Sequence, residues 1–133
     1  IMCLFTKQKE PKIADKDIIV YKVGKITNKQ FISPYQIYSY TKNELQREIK
    51  IHSDNTIVER YYRVVYEGYH AYLTFRRALN SFYVGKHIGK FIIPKGSKYY
   101  IGDDGDGDIV SSQIIYKGKI NIFNKIKLLI CGK

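Results

Sequence analysis

A chain of 133 residues, 44% hydrophobic and 26% charged, has the size and composition of one globular domain and excludes a disordered chain. Its formal net charge of +11, from 23 Lys and Arg against 12 Asp and Glu, favours acidic partners such as nucleic acid or an acidic protein face. Ile, Lys and Tyr abound together, the mark of AT-rich coding, which can supply part of that charge without function. No apolar run approaches the length of a membrane span, and no membrane partner is expected. Met2 is the one methionine and reads as the natural start, with no secretory signal after it. Cys3 and Cys131 stand far apart without a Cys-x-x-Cys pair and read as free thiols.

In chain order, 6–16 is polar, carries Pro11 and reads as a weakly ordered lead-in, so that 1–133 forms a single domain with 1–16 loosely attached. The near-continuous apolar run 18–23 predicts a central strand buried on both faces. A turn region over 24–29 follows, then a strand over 31–40 with Pro34 forcing an edge position or a bulge. Residues 43–50 admit a short helix capped by Asn43 with Gln46 in the capping-box position, or a ragged strand over 48–52; the helix or a turn is preferred. Ser53-Asp54-Asn55 reads as a turn, and 56–67 as a long β-prone stretch.

Thr74 then caps a helix predicted over about 74–83, with Phe75, Ala78, Leu79 and Phe82 on one face and Leu73 and Ala78 placed for a hydrophobic staple. A strand over 84–93 contains Gly85 and Gly89, which suggest a bulge or a close backbone approach. Pro94-Lys95-Gly96-Ser97 is a turn, and 98–101 a second short strand. Asp104, Asp106 and Asp108 alternate like calcium-loop ligands, but the position that should hold Glu is Ile115, so a glycine-rich hairpin tip is the plainer reading. Strands over 109–116 and 120–130, joined by a turn at 117–119, complete an α+β domain. It is mainly antiparallel β-sheet with one short amphipathic helix and a possible second helix near 43–50.

No Walker loop, dinucleotide fingerprint, Ser elbow or zinc signature is present, and no cofactor or metal is expected. His70, flanked by Tyr69 and Tyr72 ahead of the helix, carries two readings. One is a structural histidine bonded to main-chain groups; the other is a ligand-facing group at an anion site formed by the helix N-terminus. His52 and His87, the other imidazoles, lie at no metal-site spacing. Glu67 is the carboxylate best placed for acid–base work beside it. A basic binding face is expected from Arg76, Arg77, Lys86, Lys90, Lys95 and Lys98, with Tyr62, Tyr99 or Tyr100 as stacking surfaces. The alternative for each cation is an ordinary solvated face, and for each tyrosine an ordinary core.

The segments Met2-Cys3-Leu4-Phe5-Thr6, Ile18-Ile19-Val20-Tyr21-Lys22-Val23, Ser33-Pro34-Tyr35-Gln36, Gly68-Tyr69-His70-Ala71-Tyr72, Ile93-Pro94-Lys95-Gly96-Ser97-Lys98-Tyr99-Tyr100 and Val110-Ser111-Ser112-Gln113-Ile114 carry a resemblance. In that order they resemble a group of small proteins from Bacteroidetes and their phages, over most of the chain from Met2 to about Ile115. A wider set of phage domains shares the Gly-aromatic-His-Ala turn. The resemblance implies a compact domain in a bacterial cytoplasm, with a host factor or defence component as a possible partner, and it transfers no catalytic residue. The order strand, Gly-aromatic-His, helix, sheet also loosely resembles ADP-ribosyltransferase-like folds, in which a histidine and tyrosines hold the nicotinamide ribose. That resemblance implies a nucleotide-binding role for His70, but the trailing Glu it requires has no counterpart, since no acidic residue follows Asp108. The expectation is a non-enzymatic, cytoplasmic binding protein with a basic, tyrosine-bearing surface.

Overall fold

β3 (Ile18–Thr27) is the strand from which the architecture grows. The computed structural model describes residues 4–33, 38–55, 62–81, 87–102 and 107–121. Strand alternation sends Val20, Lys22 and Gly24 to one face of β3 and Tyr21 and Val23 to the other. Each face is covered by a separate apolar cluster, as the near-continuous apolar run predicts for a central strand. β9 (His87–Ile93) pairs with β3 along residues 18–24, and β8 (Tyr69–Tyr72) meets it at Tyr21. From edge to edge the sheet runs β12 (Ile115–Lys119), β9, β3, β8, β11 (Asp108–Ser111), β10 (Lys98–Ile101) and β2 (Lys12–Ile13), with every neighbour antiparallel.

Past Gly24, β3 turns back through Asn28 and Lys29, both at positive φ (51° and 65°), into β4 (Gln30–Ile32). This is the backbone that two-residue hairpin loops demand. The turn is thus shorter than the 24–29 expected. β4 pairs in turn with β5 (Ser39–Thr41), so the single strand expected over 31–40 is two strands of a hairpin, with 34–37 outside the described residues. Lys42 then bridges to Tyr116 of β12, and β12 pairs with β9. The paired strands β12, β9, β3, β4 and β5, with the Lys42–Tyr116 bridge just past β5, surround a ring-packed core.

Phe31 lies at its centre, with ring centroids 5.2 Å from Phe91, 5.3 Å from Tyr116 and 6.5 Å from Tyr40. Two glycines make room for it. A Cβ on Gly24 would stand 2.7 Å from a Phe31 ring carbon, and one on Gly89 2.9 Å from both Phe31 and Phe91. The close approach expected at Gly89 is therefore present.

The helix near 43–50 does not form. Asn43 has φ 66°, and the chain runs extended along β12, donating from Asn43 N to Tyr116 O (2.8 Å), Gln46 N to Ile114 O (3.1 Å) and Ile49 N to Ser112 O (2.9 Å). Bonds to a neighbouring strand satisfied these amides better than a short, weakly amphipathic helix could. The described helix is α1 (Phe75–Asn80), shorter than the 74–83 expected; 82–83 lie outside the described residues. Thr74 caps it as expected, its hydroxyl accepting from Arg77 N. Phe75 and Ala78 pack with Val23 and Ile88 on the second face of β3. Leu73 packs instead against the main cluster, so the expected Leu73–Ala78 staple gives way to two separate anchors. The described residues form mostly antiparallel sheet with one short helix, and so a nearly all-β fold.

The segment expected as a loose lead-in is tied into the fold. β1 (Leu4–Thr6) pairs with β7 (Arg63–Val65), which also pairs with β6 (Asp54–Asn55), where a turn was expected. β2 pairs with β10, and the buried Ala14 exchanges backbone bonds with Ser97 and Gly96. Leu4, Ile51, Val65, Tyr100 and Val110 form a third apolar cluster beneath this sheet. The turn at 94–97 closes as expected, with Ser97 N donating to Pro94 O (3.1 Å). The strand expected over 109–116 is two, β11 and β12, and 117–119 belong to β12 with an irregularity between Tyr116 and Gly118. Of the Asp/Gly tip, 103–106 lie outside the described residues, and Asp108 pairs with Arg77. The strand expected over 120–130 falls almost wholly outside them.

Gly24→Ala should lower the stability by about 1–3 kcal/mol, because the methyl group overpacks against the Ile32 carbonyl oxygen and the Phe31 ring (2.7 Å) of β4. A urea midpoint unchanged from the parent chain would show that β4, backbone and ring together, yields freely.

Candidate functional site

Residues 69–72 form β8 in the middle of the sheet, and the bend lies just before them at Glu67–Gly68, where Gly68 has φ 120°. Tyr69 and Ala71 face the main cluster, and alternation turns His70 away from it. His70 is 4% exposed, and its Nε2 proton points at the carbonyl of Tyr66 (3.3 Å). Burial, then the nearby Lys22 charge, depress its pKa to about 4 against the small opposing effect of the Tyr66 bond. The imidazole is thus neutral and enclosed. The anion site expected ahead of the helix has no counterpart, because His70 sits on a strand and α1 spans only Phe75–Asn80.

The titratable group that the sequence reading passed over is Lys22, also 4% exposed. Its Nζ donates to the His70 carbonyl and lies 5.6 Å from the Tyr40 ring centroid and 6.0 Å from that of Phe91. No carboxylate among the described residues pairs with it. Burial alone lowers its pKa from 10.5 to about 7. The same interior pushes the Tyr40 hydroxyl up, chiefly by burial and then through Tyr69 and Tyr38, and that hydroxyl finds no partner among the described residues. β3 and β8 share one backbone pair, Tyr21–Tyr72, so the Lys22 amine adds a side-chain rung where the ladder ends.

The other expected binding residues are dispersed. Arg77 donates to Asp108 (3.2 Å) and lies over the Tyr72 ring (5.7 Å), so these two meet and Asp108 offsets the charge. Arg76 is exposed on α1, and Lys90 is exposed on β9 on the same side of the sheet as Ile88 and the helix. Lys95 is exposed at the β9–β10 turn, and Lys86 lies outside the described residues. Tyr99 packs half-buried against the main cluster, Tyr100 is buried, and Tyr62 lies under Lys7 (5.6 Å).

Of this set, Lys98 and Tyr100 line a groove, of about 630 Å³, between residues 9–11, the extended segment 48–53 and β10. Lys9, Lys50 and Arg63 join them there, with Glu10 and Glu48 as the carboxylates. Arg63 is held on three sides by neutral acceptors: Nε to Ser53 Oγ (2.7 Å), Nη2 to Ser53 O (2.6 Å) and Nη1 to Asn55 Oδ1 (2.7 Å). Ser53 Oγ reaches the carbonyls of Gln8 and Lys9 (3.0 Å each), and Gln8 Oε1 accepts from Ile101 N (2.8 Å). The groove walls are therefore cross-braced. Its cations lie far apart in sequence, and no motif could have gathered them. Lys22 did leave a signal, because it shares the inward face of a central strand with Val20.

The chain matches no protein-family model, no curated protein and no solved structure. Among the described residues, no group of three or more His, Cys, Asp and Glu is arranged to hold a metal, and no helix is long and apolar enough to cross a membrane.

Lys22 and His70 make stability depend on pH in a stated direction. The unfolded chain protonates Lys22 below 10.5 and the folded chain only below about 7, so stability rises from pH 7 upward. The unfolded chain protonates His70 below 6.5 and the folded chain only below about 4, so stability also falls as pH drops from 6.5 to 4. Lys22→Met should flatten the upper rise and stabilise the protein at pH 7 by about 2–4 kcal/mol, after allowing for the lost hydrogen bond. Urea unfolding of both chains between pH 5 and 9 checks this; a less stable variant at pH 7 would make the buried amine a net stabiliser.

Proposed function

We propose that this protein is a non-enzymatic binding protein that engages nucleic acid through its exposed basic surface. The observation that carries the reading is the lack of internal compensation. Among the described residues, Arg77 is the one Lys or Arg side chain in an ion pair with a carboxylate. Exposed cations left unpaired keep their field available to a polyanion, and counterion release on contact then drives association. The braced, positively charged groove adds a concave surface to that field. The phage and Bacteroidetes resemblance fits this role in a bacterial cytoplasm, where a small basic domain meets host or phage nucleic acid. His70 takes no part in binding under this reading, since its ring is enclosed.

Fluorescence anisotropy with mixed-sequence single- and double-stranded oligonucleotides across a salt series tests the reading. Roughly micromolar binding at moderate salt is expected, falling with a log–log slope of about −0.7 per phosphate for single strands and −0.9 for duplex. Absence of binding at low salt would overturn it and turn attention to an acidic protein as the partner.

A further inference from the structure

We infer that the groove between residues 9–11, 48–53 and β10 is a site for one nucleotide unit, its phosphate held at Arg63. The inference rests on the nucleic-acid reading above and gives it a location. A guanidinium has five N–H donors. Three nitrogens of Arg63 are bonded to Ser53 and Asn55, which fixes the plane of the group and leaves two N–H donors without a partner among the described residues. Among the described residues none of its acceptors is charged, so no ion pair neutralises the cation. Fixed in advance, it loses little side-chain entropy on binding a phosphate.

Lys9, Lys50 and Lys98 surround the same space and supply mobile cations to the remaining phosphate oxygens. The volume of about 630 Å³ falls within the range of small-ligand sites and suits a nucleotide rather than a bare phosphate. Pro11, Ile49 and Ile51 give the groove an apolar wall against which a sugar or base can lie. Glu10 and Glu48 choose between ligand classes. They are acceptors for the amino groups of a base edge, whereas an acidic peptide would bring further carboxylates against them. A ligand with one anionic group and a donor-bearing ring fits this arrangement; a polyacidic peptide does not.

The nucleotide unit can be free or part of a strand, and one experiment separates the two. The protein is titrated with a labelled single-stranded oligonucleotide, with AMP as competitor. The variants are Arg63→Gln, the double change Lys50→Gln/Lys98→Gln, and a charge-matched control, Arg76→Gln/Lys90→Gln, on the helix side. Circular dichroism checks folding, and the double change at two exposed lysines keeps the test valid if Arg63→Gln fails to fold. The groove variants should weaken oligonucleotide binding by ~10-fold or more, the cost of losing charge-assisted bonds, and the control by far less. Competition by AMP that the groove variants abolish would establish a free-nucleotide site. Groove-dependent oligonucleotide binding without AMP competition would establish a strand site. If the groove variants bind like the parent chain, or lose no more than the control, the groove is not the site although the nucleic-acid reading stands. If the parent chain binds no nucleic acid at low salt, both fall together.

Discussion

The lodging of Phe31 against two glycines is the constraint on which much of this structure depends. Its ring needs the space a Cβ would take on β3 at Gly24 and on β9 at Gly89, and it meets Phe91 and Tyr116 there. Interiors are packed to near-crystalline density, so this contact leaves β4 one place to lie. With β4 placed, β5 follows by pairing, and the chain after Lys42 is laid along β12. The amides of Asn43, Gln46 and Ile49 bond to that strand and its lead-in. The segment so delivered presents Lys50 to the groove and Ser53 to Arg63. The packing around Phe31 is thus linked to the polar geometry of the groove through the segment 42–53.

Cations are used in two opposite ways in this chain. On the surface they are solvated, cost little and lend their field to whatever approaches. Lys22 is buried between Tyr40 and Phe91, where an amine must lose its proton or carry a desolvation penalty. What it supplies is directional: a bond from β3 to the His70 carbonyl where the two strands share a single backbone pair. The depressed pKa of His70 is partly the consequence, since a positive charge close by disfavours a second one. The Gly-Tyr-His-Ala-Tyr stretch is therefore a structural junction, and its histidine is neutral by placement.

The binding residues read from the sequence shared composition but not position. Arg76, Lys90, Lys95 and Lys98 are all exposed, as charged side chains usually are, yet only Lys98 borders the groove. Arg77 and Tyr72 do meet, and Asp108 joins them from a strand that the sequence reading treated as part of a flexible tip. Tyr99 and Tyr100 alternate on β10, so one is committed to the main cluster and the other to the cluster under the N-terminal strands. Tyrosines in such numbers supply a core as readily as a surface, and composition does not distinguish the two.

Local chemistry made several features legible from the sequence alone. The run of β-branched and aromatic residues at 18–23 announced a central strand, Thr74 a helix start, Pro94 to Ser97 a turn, and Lys98 to Ile101 a strand, because each depends on neighbours within a few residues. The same local logic misread 43–50 as helical and 6–16 as loose. Both segments hold their place through hydrogen bonds to strands distant in the chain. The groove, the strands gathered around the ring-packed core and the buried Lys22 rung belong to the same class. They arise where chain closure brings Lys9, Lys50, Arg63 and Lys98, or Lys22 and His70, together, and such encounters are written only in the tertiary structure.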